Sequence, residues 1–128
     1  MDKERFEKGL KERKDVLGAE YVENTLASAD DFNREFQEVV TEYCWGLGWG
    51  DKTLDRKTRS IINLAMIAAL NRMHEWELHF RGAIKNGLTR EELRSILMQI
   101  TIYAGVPCGV ECHRIAKKVF AELDAKGA

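Results

Sequence analysis

Ile61-Ile62-Asn63-Leu64-Ala65-Met66-Ile67-Ala68-Ala69-Leu70 is the stretch that decides the fold class. It lies inside a longer, mostly apolar run, Leu54 to Ala83. A segment apolar nearly all round over two turns reads as a buried helix. Carried on through Ala83, the same helix would hold Arg72, Glu75 and His79 at i, i+3 and i+7, stacked on one face. A guanidinium, a carboxylate and an imidazole in line on a buried helix are costly unless paired. The spacing therefore points either to a structural polar network or to a site, and by itself does not choose between them.

The flanking segments read as helices too. Asp2 to Leu17 is a charged helix ended by Gly18, and a shorter helix follows through Ala27. Ser28-Ala29-Asp30-Asp31 is a helix-start signature. It opens a helix carrying Phe32, Phe36, Val39, Val40 and Tyr43. Gly46, Gly48 and Gly50, interleaved with Trp45, Leu47 and Trp49, predict a break in the chain. Its tryptophans would either pack inward from a turn or form a lid over a pocket. Asp55 is expected to cap the long central helix, which stops at Asn86-Gly87. Thr89-Arg90-Glu91-Glu92 fits a capping box and opens a helix from Arg90 to about Tyr103, with Leu93, Ile96, Leu97, Ile100 and Tyr103 inward. Gly105-Val106-Pro107 predicts a further break, and a last helix covers Gly109 to Asp124. One proline in 128 residues, and no run of alternating β-branched residues, make the chain all-α. Without a linker or internal repeat it is expected to form a single domain over 1–128. A small domain cannot easily cover so apolar a central helix, which predicts oligomerisation.

Twenty basic against 21 acidic residues give a net charge of −1, with no nucleic-acid or anionic-membrane footprint. The charged start, Met1-Asp2-Lys3-Glu4-Arg5, lacks the apolar core of a secretory leader. Ile61 to Leu70 is too short to span a bilayer. Three cysteines are too few for a disulfide scaffold. These features predict a cytoplasmic, reducing location.

His79 is the best candidate for proton transfer, because imidazole titrates near neutrality. Glu75, one turn earlier, would orient it. Arg72 is a nearby cation, and so is Arg81, which points to another part of the helix surface. Glu77 falls on a different face, and His74 and His113 read as surface or partly exposed histidines. Cys108 and Cys112 are one turn apart, a spacing that disfavours a disulfide. With His113 they make too small a set for a metal site, and no metal is expected. Cys44 reads as core. Gly46-Leu47-Gly48-Trp49-Gly50 lacks the context of a phosphate loop.

The chain resembles the 4-carboxymuconolactone decarboxylases of the alkylhydroperoxidase D-like superfamily. The likeness rests on Glu35-Phe36-Gln37-Glu38, Trp45-Gly46, Thr58-Arg59-Ser60, Ala69-Leu70-Asn71-Arg72, Glu75, Leu78-His79, Arg81, Asn86-Gly87 and Tyr103-x-Gly105-x-Pro107. Arg13-x-x-Val16-Leu17-Gly18 looks like the family's opening, so nearly the whole chain is covered. The resemblance implies the superfamily's all-α fold around an antiparallel helix pair, assembled as a homotrimer or homohexamer with sites near subunit interfaces. The peroxidase branch looks like Glu…Cys-x-x-Cys-x-x-x-His. With His79 as that histidine, the thiol positions fall on Arg72 and Glu75 and the glutamate on Ser60, which argues against the alternative of a thiol-dependent peroxidase. The decarboxylase branch has Arg, Glu and His at these places. The implied substrate is a small dicarboxylate lactone, 4-carboxymuconolactone, converted to the β-ketoadipate enol-lactone of protocatechuate degradation. A related enzyme on another lactone or acid is the remaining alternative. The substrate carries its own electron sink, so no cofactor is expected. His79, Glu75 and Arg72 are the expected catalytic residues. Arg59, Arg81, Trp45 and Trp49 are the expected substrate-binding residues.

Overall fold

A computed structural model describes residues 1–127. Every regular element among them is helical, as expected. The chain divides into two compact units, Met1–Arg56 and the residues from Lys57 onward.

The first unit is built on α1 (Lys3–Leu17), whose N-terminus is capped by the Asp2 carboxylate accepting from the Arg5 N–H. Gly18, at φ 100°, ends it in a conformation few other residues adopt. α2 (Ala19–Ala27) follows as expected. The next helix starts later than Ser28 predicts. Asp30 caps a turn instead, its carboxylate accepting from the N–H groups of Phe32 and Asn33, and α3 spans Arg34–Val39.

The expected break at Gly46, Gly48 and Gly50 does not occur. α3 runs directly into a π-helical stretch, Val40–Trp49, a geometry that is rare at such length. Gly46 allows close approach rather than a turn. A Cβ on Gly46 would lie 2.4 Å from the Arg5 carbonyl oxygen, and one on Gly9 would lie 1.9 Å from that of Thr41. α1 and the π-helix are thus in backbone contact. Trp45 and Trp49 stack with centroids 5.0 Å apart and, with Val16, form the unit's core. They are buried helix residues, not a flexible lid.

The second unit holds α4 (Arg56–Ala69, of which Arg56 closes the first unit), α5 (Met73–Lys85), α6 (Arg90–Ala104) and α7 (Val106–Gly127). The single long helix expected from Asp55 to Asn86 is in fact two. Asn71 has φ 59°, the left-handed conformation that asparagine tolerates better than most residues. The Asn71 N–H donates to Ala68 O and the Arg72 N–H to Ile67 O, the paired bonds of a Schellman stop. α5 ends the same way, with Gly87 N–H on Ile84 O and Leu88 N–H on Ala83 O. α4 and α5 run antiparallel: Trp76 Nε1 donates to Leu64 O (3.0 Å), and Asn86 Nδ2 to Ser60 Oγ (2.9 Å).

The capping box at Thr89 and Glu92 is present. α7 begins at Val106, earlier than predicted, because Pro107 sits in its first turn, where the missing N–H costs nothing. Leu64, Trp76, Phe80, Leu93, Leu97, Ile115 and Val119 centre a core drawn from all four helices. No helix among the described residues is long and apolar enough to cross a membrane.

Candidate active site

α5 sets the geometry of the candidate site. Trp76, Phe80 and Ala83, at i, i+4 and i+7, are buried. Glu75 and His79 each precede one of the two aromatics, so they form a neighbouring row along the flank of the core. Glu75 is exposed and His79 half-buried. Burial pushes the imidazole below its ordinary pKa, and the nearby Glu75 carboxylate pushes it back up. This pair, one turn apart, is the part of the predicted triad that the helix does bring together.

Arg72 is not on that helical face. The Schellman stop leaves it as the N-cap residue of α5, with φ −104° and ψ 73°. Its side chain is exposed, and it forms no salt bridge among the described residues. The three polar groups are therefore not a stacked, buried array: the cation stands in solvent beside the start of the helix that carries the other two.

Arg59 lies half-buried in the first turn of α4. Arg81 is already engaged within the chain: its guanidinium binds Glu122 at 2.7 Å and Glu77 at 2.9 Å, and Lys118 adds 2.8 Å to Glu77. Trp45 and Trp49 belong to the core of the first unit. His74 is exposed. His113 is half-buried, its Nδ1 2.7 Å from Gly109 O.

Cys44 is exposed rather than core, because the π-helical register turns it away from Trp45 and Trp49. Cys108 is half-buried and donates to Ala68 O at 3.3 Å. Cys112 is buried. Burial and its neighbour Cys108 push the Cys112 thiol up to about 12, the opposite of what a thiolate nucleophile needs.

Sequence reasoning missed an apolar groove of about 460 Å³ on the second unit, between Ile61, Ala65 and Ala69 of α4 and Ile96, Ile100 and Tyr103 of α6. Its signal was present as the i, i+4, i+8 spacing of the α4 residues, which reads equally well as core. His79, Glu75 and Arg72 do not line it.

Comparisons with known proteins agree on one family. The sequence profile of the carboxymuconolactone decarboxylase family matches residues 34–118. Over 122 residues, covering 95% of this chain and 85% of the relative, the sequence is 43% identical to the nitrosuccinic acid decarboxylase of Metarhizium robertsii. Over 122 residues it is 35% identical to the 4-carboxymuconolactone decarboxylase of Acinetobacter baylyi, covering 95% of this chain and 91% of that protein.

Proposed function

The chain belongs to the carboxymuconolactone decarboxylase family, and from that premise we propose that it is a carboxy-lyase that needs no cofactor and acts on a small dicarboxylic acid with a built-in electron sink. The observation that carries this reading is the Glu75–His79 pair on α5, with the exposed cation Arg72 at the helix start.

The named substrates of the two relatives share a chemical plan. In 4-carboxymuconolactone the C–CO₂ bond breaks and its electron pair passes through the ring alkene into the lactone carbonyl. In nitrosuccinic acid the pair from the nitro-bearing carbon passes into the nitro group. Each leaves a delocalised carbanion that must be protonated on carbon, and each keeps a spectator carboxylate. Such a reaction asks a protein for a cation, a stabilised oxyanion and a proton donor.

His79 delivers the proton, with Glu75 favouring its charged form. Arg72 binds the retained carboxylate, a task suited to a planar guanidinium. Arg59, Arg81, Trp45 and Trp49 stand in the proposal as substrate-binding residues. Because Arg81 already holds two carboxylates and the tryptophans hold a core, variants there need a folding control. The reading includes the homotrimer or homohexamer that the family resemblance implies. A cytoplasmic setting in aromatic-acid breakdown would go with the lactone substrate.

4-Carboxymuconolactone is the first substrate to test. The 43% identity to the nitrosuccinic acid enzyme favours a second, nitro-acid reading. Carbon dioxide release should be followed with each acid in separate reactions. Release from one of them, reduced by about 100- to 10,000-fold in His79→Ala with helicity retained, is the expected result. No release from either acid would refute the proposal. Activity undiminished in the variant would remove His79 from the mechanism. The thiol-dependent alternative expects peroxide reduction that disappears on replacing all three cysteines. The high pKa of Cys112 opposes it.

A further inference from the structure

Arg13 is the most buried cation described in the chain: only 6% of it is exposed, in the middle of α1. Its partners are neutral. Nη1 donates to Thr41 Oγ1 and Nη2 to Gln37 Oε1, both at 3.1 Å. Nε is buried and has no hydrogen-bond partner. The nearby acids of the unit are bound to other cations. Glu12 holds Lys52 and Arg56, Asp15 holds Lys11 and Arg56, Glu42 holds Arg5, and Glu23 holds Lys14. No carboxylate among the described residues forms a salt bridge with Arg13.

A buried guanidinium without a counter-charge is strongly unfavourable. The remaining donors have a definite chemistry. Thr41 and Gln37 each take one N–H, which leaves Nε–H and one further N–H on each terminal nitrogen. Nε–H and the terminal N–H on its side form the parallel fork that a carboxylate accepts in bidentate fashion. Thr41 is itself held rigidly, donating to Gln37 O at 2.8 Å. The Thr41 hydroxyl that aims the guanidinium is therefore fixed before any anion arrives.

We propose that Arg13 is a carboxylate-binding residue, and that the first unit takes up one carboxylate of a small dicarboxylate through the Nε side of its guanidinium. This site lies within the first unit and is separate from the carboxylate role given to Arg72; it rests on the decarboxylase reading only for the identity of the acid. Entry of the anion requires outward movement of the half-buried Gln37 side chain.

The test uses the full chain, with succinate as the probe and succinamide as its neutral counterpart, at constant ionic strength and without turnover. Succinate should raise the midpoint of thermal unfolding by several degrees, with half-saturation in the millimolar range or below, and succinamide should not. Arg13→Met should lose that response while remaining folded by circular dichroism. If Arg13 only ties α1 to the π-helix, the variant will be destabilised and the succinate response, if any, will survive. That outcome overturns the proposal. A wild-type midpoint that rises with protein concentration and ignores succinate would assign the counter-charge to a second copy of the chain, and also overturns it. Should Arg13→Met fail to fold, Arg13→Lys decides. The lysine keeps the charge but lacks the fork, so its succinate half-saturation should weaken at least tenfold, and unchanged binding would refute the site. Succinate binding in a protein that releases no carbon dioxide would leave this site standing while the decarboxylase reading falls.

Discussion

At the scale of single residues, His79 makes a pH prediction whose sign is set by its surroundings. Burial is the larger influence and lowers its pKa below 6.5, while Glu75 works the other way. Near neutrality the imidazole is mostly unprotonated, so a reaction that needs its proton should speed up as pH falls. In wild type, kcat/KM should rise below pH 6.5 toward a plateau set by the lowered pKa. Glu75→Gln removes the influence that supports the imidazolium, so the rise should move to still lower pH. A profile unmoved by Glu75→Gln would separate Glu75 from His79. The stability consequence has the same origin. The unfolded chain binds the proton more readily than the fold does, so stability is full above pH 6.5 and is lost as pH falls from there toward the folded-state pKa. The pairing of Glu75 with His79 was legible from spacing alone, because four residues separate them within one helix. The place of Arg72 was not, because it depends on one backbone angle at Asn71 rather than on hydrophobic pattern.

At the scale of elements, the two departures from expectation share a cause: glycine at Gly46 acts through what it touches, and Asn71 through one backbone angle, and neither shows in the hydrophobic pattern. Gly46, Gly48 and Gly50 read as a break, yet Gly46 sits against the backbone of α1. Gly46 and Gly48 should behave oppositely. Gly46→Ala pushes a methyl to 2.4 Å from the Arg5 carbonyl oxygen, whereas the nearest atom to a Cβ on Gly48 is 3.8 Å away. Gly46→Ala should cost about 1–3 kcal/mol or more, and Gly48→Ala should be neutral or stabilising by up to about 1 kcal/mol. Urea denaturation at unchanged slope measures both. Equal effects would mean that the close approach of α1 does not constrain this stretch. Asn71 makes the complementary case. Asn71→Ala forces an alanine into the left-handed region at about 1–2 kcal/mol, while Asn71→Gly should fold as well as wild type. The stops at Gly18 and Gly87 and the box at Thr89 were readable in advance because their chemistry is local. The split of the long helix was not, because the apolar pattern continues across it.

At the scale of the whole molecule, the composition points beyond one chain. Ile61, Ile62, Met66 and Leu70 of α4 are exposed, as are Met98, Ile102 and Tyr103 of α6 and Val106 and Val110 of α7. The expectation of a fully buried central helix thus fails within a single protomer. So many large apolar side chains exposed on one unit mark an interaction surface, and the proposed oligomer would cover it with further copies of this chain. The same step bears on catalysis. Glu75 and Arg72 are open to solvent in the protomer, whereas a carbanion intermediate needs a site from which water is largely excluded. Association would provide that cover. Sedimentation at micromolar concentration should therefore give a trimer or a hexamer. Ile102→Asp, which places a charge where 70% of the residue is exposed, should shift it to monomer with helicity unchanged. If closure by a neighbouring copy is what excludes water, carbon dioxide release should fall together with association and return as protein concentration drives reassembly. A monomeric variant with full turnover would instead place the whole of the chemistry within one chain.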